Sequence, residues 1–290
     1  MIQYFKDKTV LKKFFAFTLA ETLIVMGIIG VVAAITIPNM SRDTNNVEKV
    51  TKFKKLYTEL ANAHENAVAK YGPVDEWFMN PPSGLSGWGT VTWQSERYVN
   101  RLAEFMKVTK NCKTNGLASQ LEPCIAQKFT TLANDTKNAE SRYAAILSSG
   151  AGIGVIIDYK NCNDYYYNSP WNATTGYNNS ARITCGRIYL DIDGPKNGKN
   201  IFGIDIFSMP ITKEGIKPAH FSSNVLAIEL ADRCTHGRSG GGACGQWIMD
   251  NDNMDYLMVK DRSSFAKSRT CPNNNVLGYD ASKGEVRSCK

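Results

Sequence analysis

Cysteine is missing from the first 111 residues, and the chain of 290 holds only three histidines. The eight cysteines fall at 112, 124, 162, 185, 234, 244, 271 and 289. No neighbouring pair has the two-to-four-residue gap of a zinc knuckle, which sets aside a thiolate zinc cluster. Neither a phosphate-binding P-loop nor a dinucleotide-binding glycine fingerprint occurs. His64, His220 and His236 are scattered and suggest no set of base, orienting group and nucleophile. The pattern Gly237-Arg238-Ser239-Gly240-Gly241 has the spelling of a nucleophile elbow, but it lies in a glycine-rich loop between Cys234 and Cys244. A nucleophile elbow needs a strand before it and a helix after it. These absences favour a non-enzymatic protein. Net charge is only +7, without the clustered basic face of a dedicated nucleic-acid binder, so a nucleic-acid partner is not expected.

The most informative absence is of basic residues between Phe17 and Ile37, FTLAETLIVMGIIGVVAAITI, where Glu21 is the single ionisable group. As a helix, this stretch would be about 31 Å long, against a hydrocarbon core of about 30 Å. Lys6, Lys8, Lys12 and Lys13 precede it, opposed only by Asp7. By the positive-inside rule that end stays in the cytoplasm and everything after Pro38 is exported. The apolar run is too long for a secretory signal peptide, and no small-x-small cleavage site follows it. A plain signal anchor explains its length and its lysines. It leaves Glu21 unexplained, because an acid at a helix centre costs about 2.5 to 3.5 kcal/mol on insertion. Lys12 and Lys13, reaching back from the interface, offer one local means of neutralising it.

The run Lys12-Lys13-Phe14-Phe15-Ala16-Phe17-Thr18-Leu19-Ala20-Glu21 resembles the processing site of type IV prepilins and type II secretion pseudopilins. The resemblance implies a leader, 1–16, cut between Ala16 and Phe17, with methylation of the new Phe17 amine. The family usually has glycine where Ala16 stands. Glu21 would then meet that amine during filament assembly, and Pro38, the twenty-second residue of the cut chain, would kink the helix. Implied partners are the prepilin peptidase, other pilin or pseudopilin subunits, the inner-membrane assembly platform and, before assembly, membrane lipid. The implied location is the inner membrane, crossed once, with the bulk of the chain periplasmic or extracellular. Loss of the leader, with four lysines and one aspartate, would lower the charge from +7 to +4.

Beyond the apolar segment 17–38, residues 39–71 extend the same helix. Val47, Val50, Phe53, Leu56, Tyr57, Leu60, Ala61, His64, Ala67, Val68 and Tyr71 recur at three- and four-residue steps until Gly72-Pro73. Lys49, Lys52, Lys55 and Glu59 form a face expected to be solvated. Residues 72–290 form the exported domain. Ser95 is expected to cap a short helix bearing Tyr98, Leu102, Phe105 and Met106, and a second helical patch is expected over 141–147. Trp77, Trp88 and Trp93 are expected in the core. Short strands are expected over 153–159, 187–191, 201–207, 225–230 and 256–259. The fold class is therefore α+β, a long N-terminal membrane-spanning helix packed against a C-terminal antiparallel sheet, disulfide-rich and pilin-like.

An even cysteine count on the exported side is a disulfide framework. Eight cysteines allow 105 pairings. The nearest-neighbour scheme, Cys112 with Cys124, Cys162 with Cys185, Cys234 with Cys244 and Cys271 with Cys289, closes four compact loops. Residues 188–207, a strand, an Asp-Gly-Pro turn and then Gly203-Ile204-Asp205-Ile206-Phe207, also resemble the family. Asp191, Asp193 and Asp205 around this loop could ligate calcium, as in some secretion pseudopilins, or merely cap its turns. The loop has no glutamate at the twelfth position of an EF-hand. The run 250–255 poses the same choice, and otherwise no cofactor is expected. The reading that follows is a filament subunit, with a tip adhesin or DNA-uptake receptor and an anchored exported hydrolase as rivals.

Overall fold

The computed structural model describes residues 18–113, 124–126, 128–132, 134–138, 140–158, 162, 164–165, 183–218, 234, 244–258, 278–280 and 285–287. The leader, Ala16, Phe17, the expected strand 225–230, the serine loop 237–241, His220, His236, Cys271 and Cys289 lie outside the described residues, as do the side chains of 33 and 35–45. The chain divides into two compact units, 1–45 and 46–290.

Helix α1, Leu19–Tyr71, belongs to both units and includes Pro38. It begins at a capping box. The Thr18 amide and hydroxyl donate to Glu21 Oε2 at 2.9 and 2.8 Å, and the Glu21 amide donates back to Thr18 Oγ1 at 3.2 Å. It ends where the Gly72 amide donates to Val68 O at 2.9 Å, with Gly72 at φ +79°, a backbone that favours glycine. Among the described residues no helix is long and apolar enough to cross a membrane. The described side chains of the first stretch end at Val32 and Ala34, while the apolar sequence continues to Ile37. From Leu19 to Val32 the large apolar side chains are 52 to 81% exposed.

The second unit continues with a 3-10 turn, Val74–Phe78, and helix α2, Trp88–Leu102. The strands that follow are β1, Val108–Lys113; β2, Lys128–Thr130; β3, Thr136–Asn138; β4, Tyr143–Leu147; β5, Gly152–Ile157; β6, Asp164–Tyr165; β7, Ile183–Asp191; β8, Ile206–Thr212; and β9, Gly215–Ile216. Helix α3, Cys244–Asn251, a 3-10 turn, Asp255–Met258, and a hairpin of β10, Gly278–Asp280, with β11, Glu285–Arg287, complete the described elements. The main sheet is antiparallel in the order β1-β4-β5-β7-β8-β9, with β6 pairing on β7. The fold is α+β and disulfide-bonded: Cys112 pairs with Cys124, Cys162 with Cys185, and Cys234 with Cys244.

Both faces of the sheet are covered. The face bearing Ile153, Ile188, Leu190, Phe207 and Met209 shares a core with Val50, Phe53, Leu56, Leu60, Ala63 and Ala67 of α1. The rings of Phe53 and Phe207 stand 4.3 Å apart at 44°. Each of the Val, Leu, Ile, Phe and Met side chains among them contributes about 1.5 to 3 kcal/mol by leaving water. Alternate residues Ala144, Tyr189 and Ile206 point the other way, into a second cluster with Ile125, Phe129 and Phe202. Val47, expected in the α1 stripe, is 63% exposed.

Four local expectations are corrected. Residues 143–147 are strand, not helix. Their register with β5, Ala145 opposite Ile153, buries both faces and erases the alternation that would have announced a strand. Ser95 lies inside α2, where its Oγ donates to Val91 O at 2.7 Å and accepts the Ile157 amide at 2.9 Å, so it ties helix to sheet. The strand expected over 201–207 begins at Ile206, because the Asp205 carboxylate accepts the Lys199 and Ile201 amides and folds 199–205 into a turn. The strand expected over 256–259 gives way to the 3-10 turn Asp255–Met258, with Tyr256 buried and its hydroxyl donating to Gly203 O at 2.6 Å. Of the three tryptophans expected in the core, Trp77 is buried and Trp88 is 58% exposed.

Candidate functional site

Two groups of sequence-flagged residues have a described geometry. The first is Glu21, in the opening turn of α1. A carboxylate there meets the positive end of the helix dipole as well as the Thr18 donors. The signal was legible as Thr18-Leu19-Ala20-Glu21, which has the Thr-x-x-Glu spacing of a capping box. The sequence reading missed it by looking only for a cation to neutralise the acid.

The second is the loop between β7 and β8. β7 carries Asp191 at its last position, opposite Gly152 on one side and Ile206 on the other, so its carboxyl group is carried into the interior. Asp193, two residues on, reaches α1: Lys49 Nζ and Lys52 Nζ donate to its two oxygens at 3.1 Å each. Lys49 Nζ also stands 3.9 Å from Asp205. Lys49 and Lys52 are therefore not simply solvated; they clasp the loop. Gly198, at φ +75°, closes it, and a Cβ there would stand 2.7 Å from Asp205 Oδ2.

The three carboxyls differ in what surrounds them. Burial acts against the charge of Asp193, but the Lys49 and Lys52 ammoniums outweigh it and hold that carboxyl below the usual range. Burial pushes Asp205 up, although Lys49 and the Ile201 and Lys199 amides act the other way. Asp191 is fully buried and neither oxygen has a hydrogen-bond partner. Burial, with Asp205 next in effect and Asp193 adding to it, pushes it up to about 7. Among the described residues no group of three or more His, Cys, Asp or Glu side chains is arranged to hold a metal ion. What the arrangement does is electrostatic and mechanical: it fastens the β7–β8 loop to the long helix, and it holds a carboxyl able to keep its proton near neutrality.

The run 250–255 lies at the end of α3. Asp252 pairs with Lys54 of α1, Asp250 accepts from Gln246 Nε2 at 2.7 Å, and the Asp255 amide donates to Asn253 Oδ1 at 3.0 Å. His64 is buried in the core beside Trp77, with its Nδ1 2.8 Å from the Tyr98 hydroxyl and its Nε2 without a partner. Burial, helped by Lys217, lowers it to about 4, so it stays neutral in the folded protein at pH 7. No family model matches the chain, and neither a curated protein nor a solved structure shows significant similarity to it.

Proposed function

We propose that this chain is a prepilin-like structural subunit, held in the inner membrane by residues 17–38, cut and methylated at Phe17, and assembled into a filament of the type IV pilus or type II secretion pseudopilus kind. The observation that carries the reading is the exposure of Leu19 to Val32 all round the start of α1: nine large apolar side chains stand 52 to 81% exposed. A surface of that kind calls for lipid or for copies of itself. The same helix, from Val50 onward, is committed to the core of the sheet domain, so packing of one end in a polymer would display the other. Three disulfides suit the exported side of a membrane. No catalytic role is assigned.

Mass spectrometry of the protein from cells tests the reading. The expected N-terminus is N-methylated Phe17; a chain that keeps Met1 would overturn it.

A further inference from the structure

Between the last turn of α1 and the face of α2 lies a cavity of about 430 Å³, within the range of small-molecule clefts and roomy enough for one or two sugar rings. Two arginines one helical turn apart, Arg97 and Arg101, line it. The Arg97 guanidinium lies 5.2 Å over the Trp93 ring, and that of Arg101 lies 4.4 Å over Tyr71 and 4.8 Å over Trp77. Arg97 Nε and Arg101 Nη1 are buried without hydrogen-bond partners. Among the described residues neither guanidinium forms an ion pair or a hydrogen bond. Burial and the like charge of Arg97 pull Arg101 down, while Tyr71 and Glu104 act the other way, so Glu104 offsets part of the positive charge without forming an ion pair with it.

The rim limits which anion fits. Glu104 is already taken by Lys70 and the Tyr71 hydroxyl. Its carboxylate and that of Glu96 line the same cavity, which works against a compact dianion such as phosphate, whose whole charge would enter together, more than against one carboxylate of a longer chain. A single carboxylate matches the planar donors of a guanidinium. A ligand body rich in hydroxyls suits Asn100 as both donor and acceptor.

We propose that this cavity binds an acidic sugar, a uronic acid unit of a polysaccharide, with its carboxylate on Arg97 and Arg101 and its hydroxyls on Asn100. The site is independent of the filament reading, because binding is measured on the isolated full chain. The test is calorimetric titration of the full chain in detergent micelles with digalacturonate, with its neutral dimethyl ester and with inorganic phosphate. Digalacturonate should bind at least about tenfold more tightly than either, the factor expected for one charge-assisted contact. Arg97→Gln and Arg101→Gln should each weaken it by a similar factor while circular dichroism stays unchanged. Equal binding of acid and ester, tighter binding of phosphate, or no binding of digalacturonate at about 10 mM would overturn the proposal, and all three are read on the unaltered protein.

Discussion

Asp191 and His64 are buried ionisable groups whose effects on stability run in opposite directions with pH. Folding lowers His64 from 6.5 to about 4, so the folded state resists its protonation. The stability it contributes is complete above pH 6.5 and is lost as pH falls through about 4, a span worth about 3 kcal/mol. Folding raises Asp191 from 3.8 to about 7. Its contribution is complete below pH 3.8 and is lost as pH rises through 7, a span of about 4 kcal/mol. Asp191→Asn keeps the shape and removes the charge. Thermal unfolding of this variant should match the wild type near pH 4 and exceed it at pH 8 by several degrees. Parallel pH profiles would show that Asp191 is not the group that titrates. Lys49 and Lys52 act on the neighbouring Asp193, so the variant leaves the clasp on the loop in place.

At the scale of elements, α1 presents one narrow stripe and the domain closes against it with very little clearance. Gly245 in the first turn of α3 shows this. A Cβ there would stand 2.5 Å from Pro218 O and 2.9 Å from Phe53 Cζ. Because the nearer atom is backbone, a side chain cannot be accommodated by a rotamer change alone. Gly245→Ala should therefore cost about 1 to 3 kcal/mol, visible as a lowered midpoint of thermal unfolding, and an unchanged midpoint would mean α3 is free to shift. The Cys234–Cys244 bridge pins the same helix at its first residue. Three bridges between nearest cysteines leave Cys271 and Cys289 as the remaining pair. Peptide mapping without reduction should recover a fragment joining them; free thiols at both would end the four-loop scheme.

For the whole molecule, the proposed division of labour runs along one helix: an apolar end for contact between copies and a striped end for the chain's own core. Glu21 tests this division. In the single chain it is satisfied by Thr18, so Glu21→Ala removes only one half of the capping box from the isolated subunit. Membrane insertion and cleavage should persist, while filament yield by electron microscopy should fall at least about tenfold if one subunit's amine docks on its neighbour's Glu21. Normal filaments from that variant would reduce Glu21 to a helix cap.

The sequence by itself determined the α1 stripe, because Val50, Phe53, Leu56 and Leu60 recur at helical spacing and Gly72 ends the run whatever surrounds it. It also determined strand β5 and the last five residues of β7, 187–191. The three bridges join nearest cysteines, one of the 105 schemes that the sequence left open. Tertiary structure alone decided that 143–147 is strand, since two buried faces leave no periodicity to read. It also decided that Ser95 joins α2 to β5 rather than capping a helix, and that Asp205 folds a turn where a strand was expected. The clasp of Lys49 and Lys52 on Asp193 spans over 140 residues, and the placing of Arg101 over Tyr71 needs two helices to meet. Local pattern carries what neighbouring residues settle among themselves. Contacts between distant segments depend on how the chain closes, and periodicity holds no record of that.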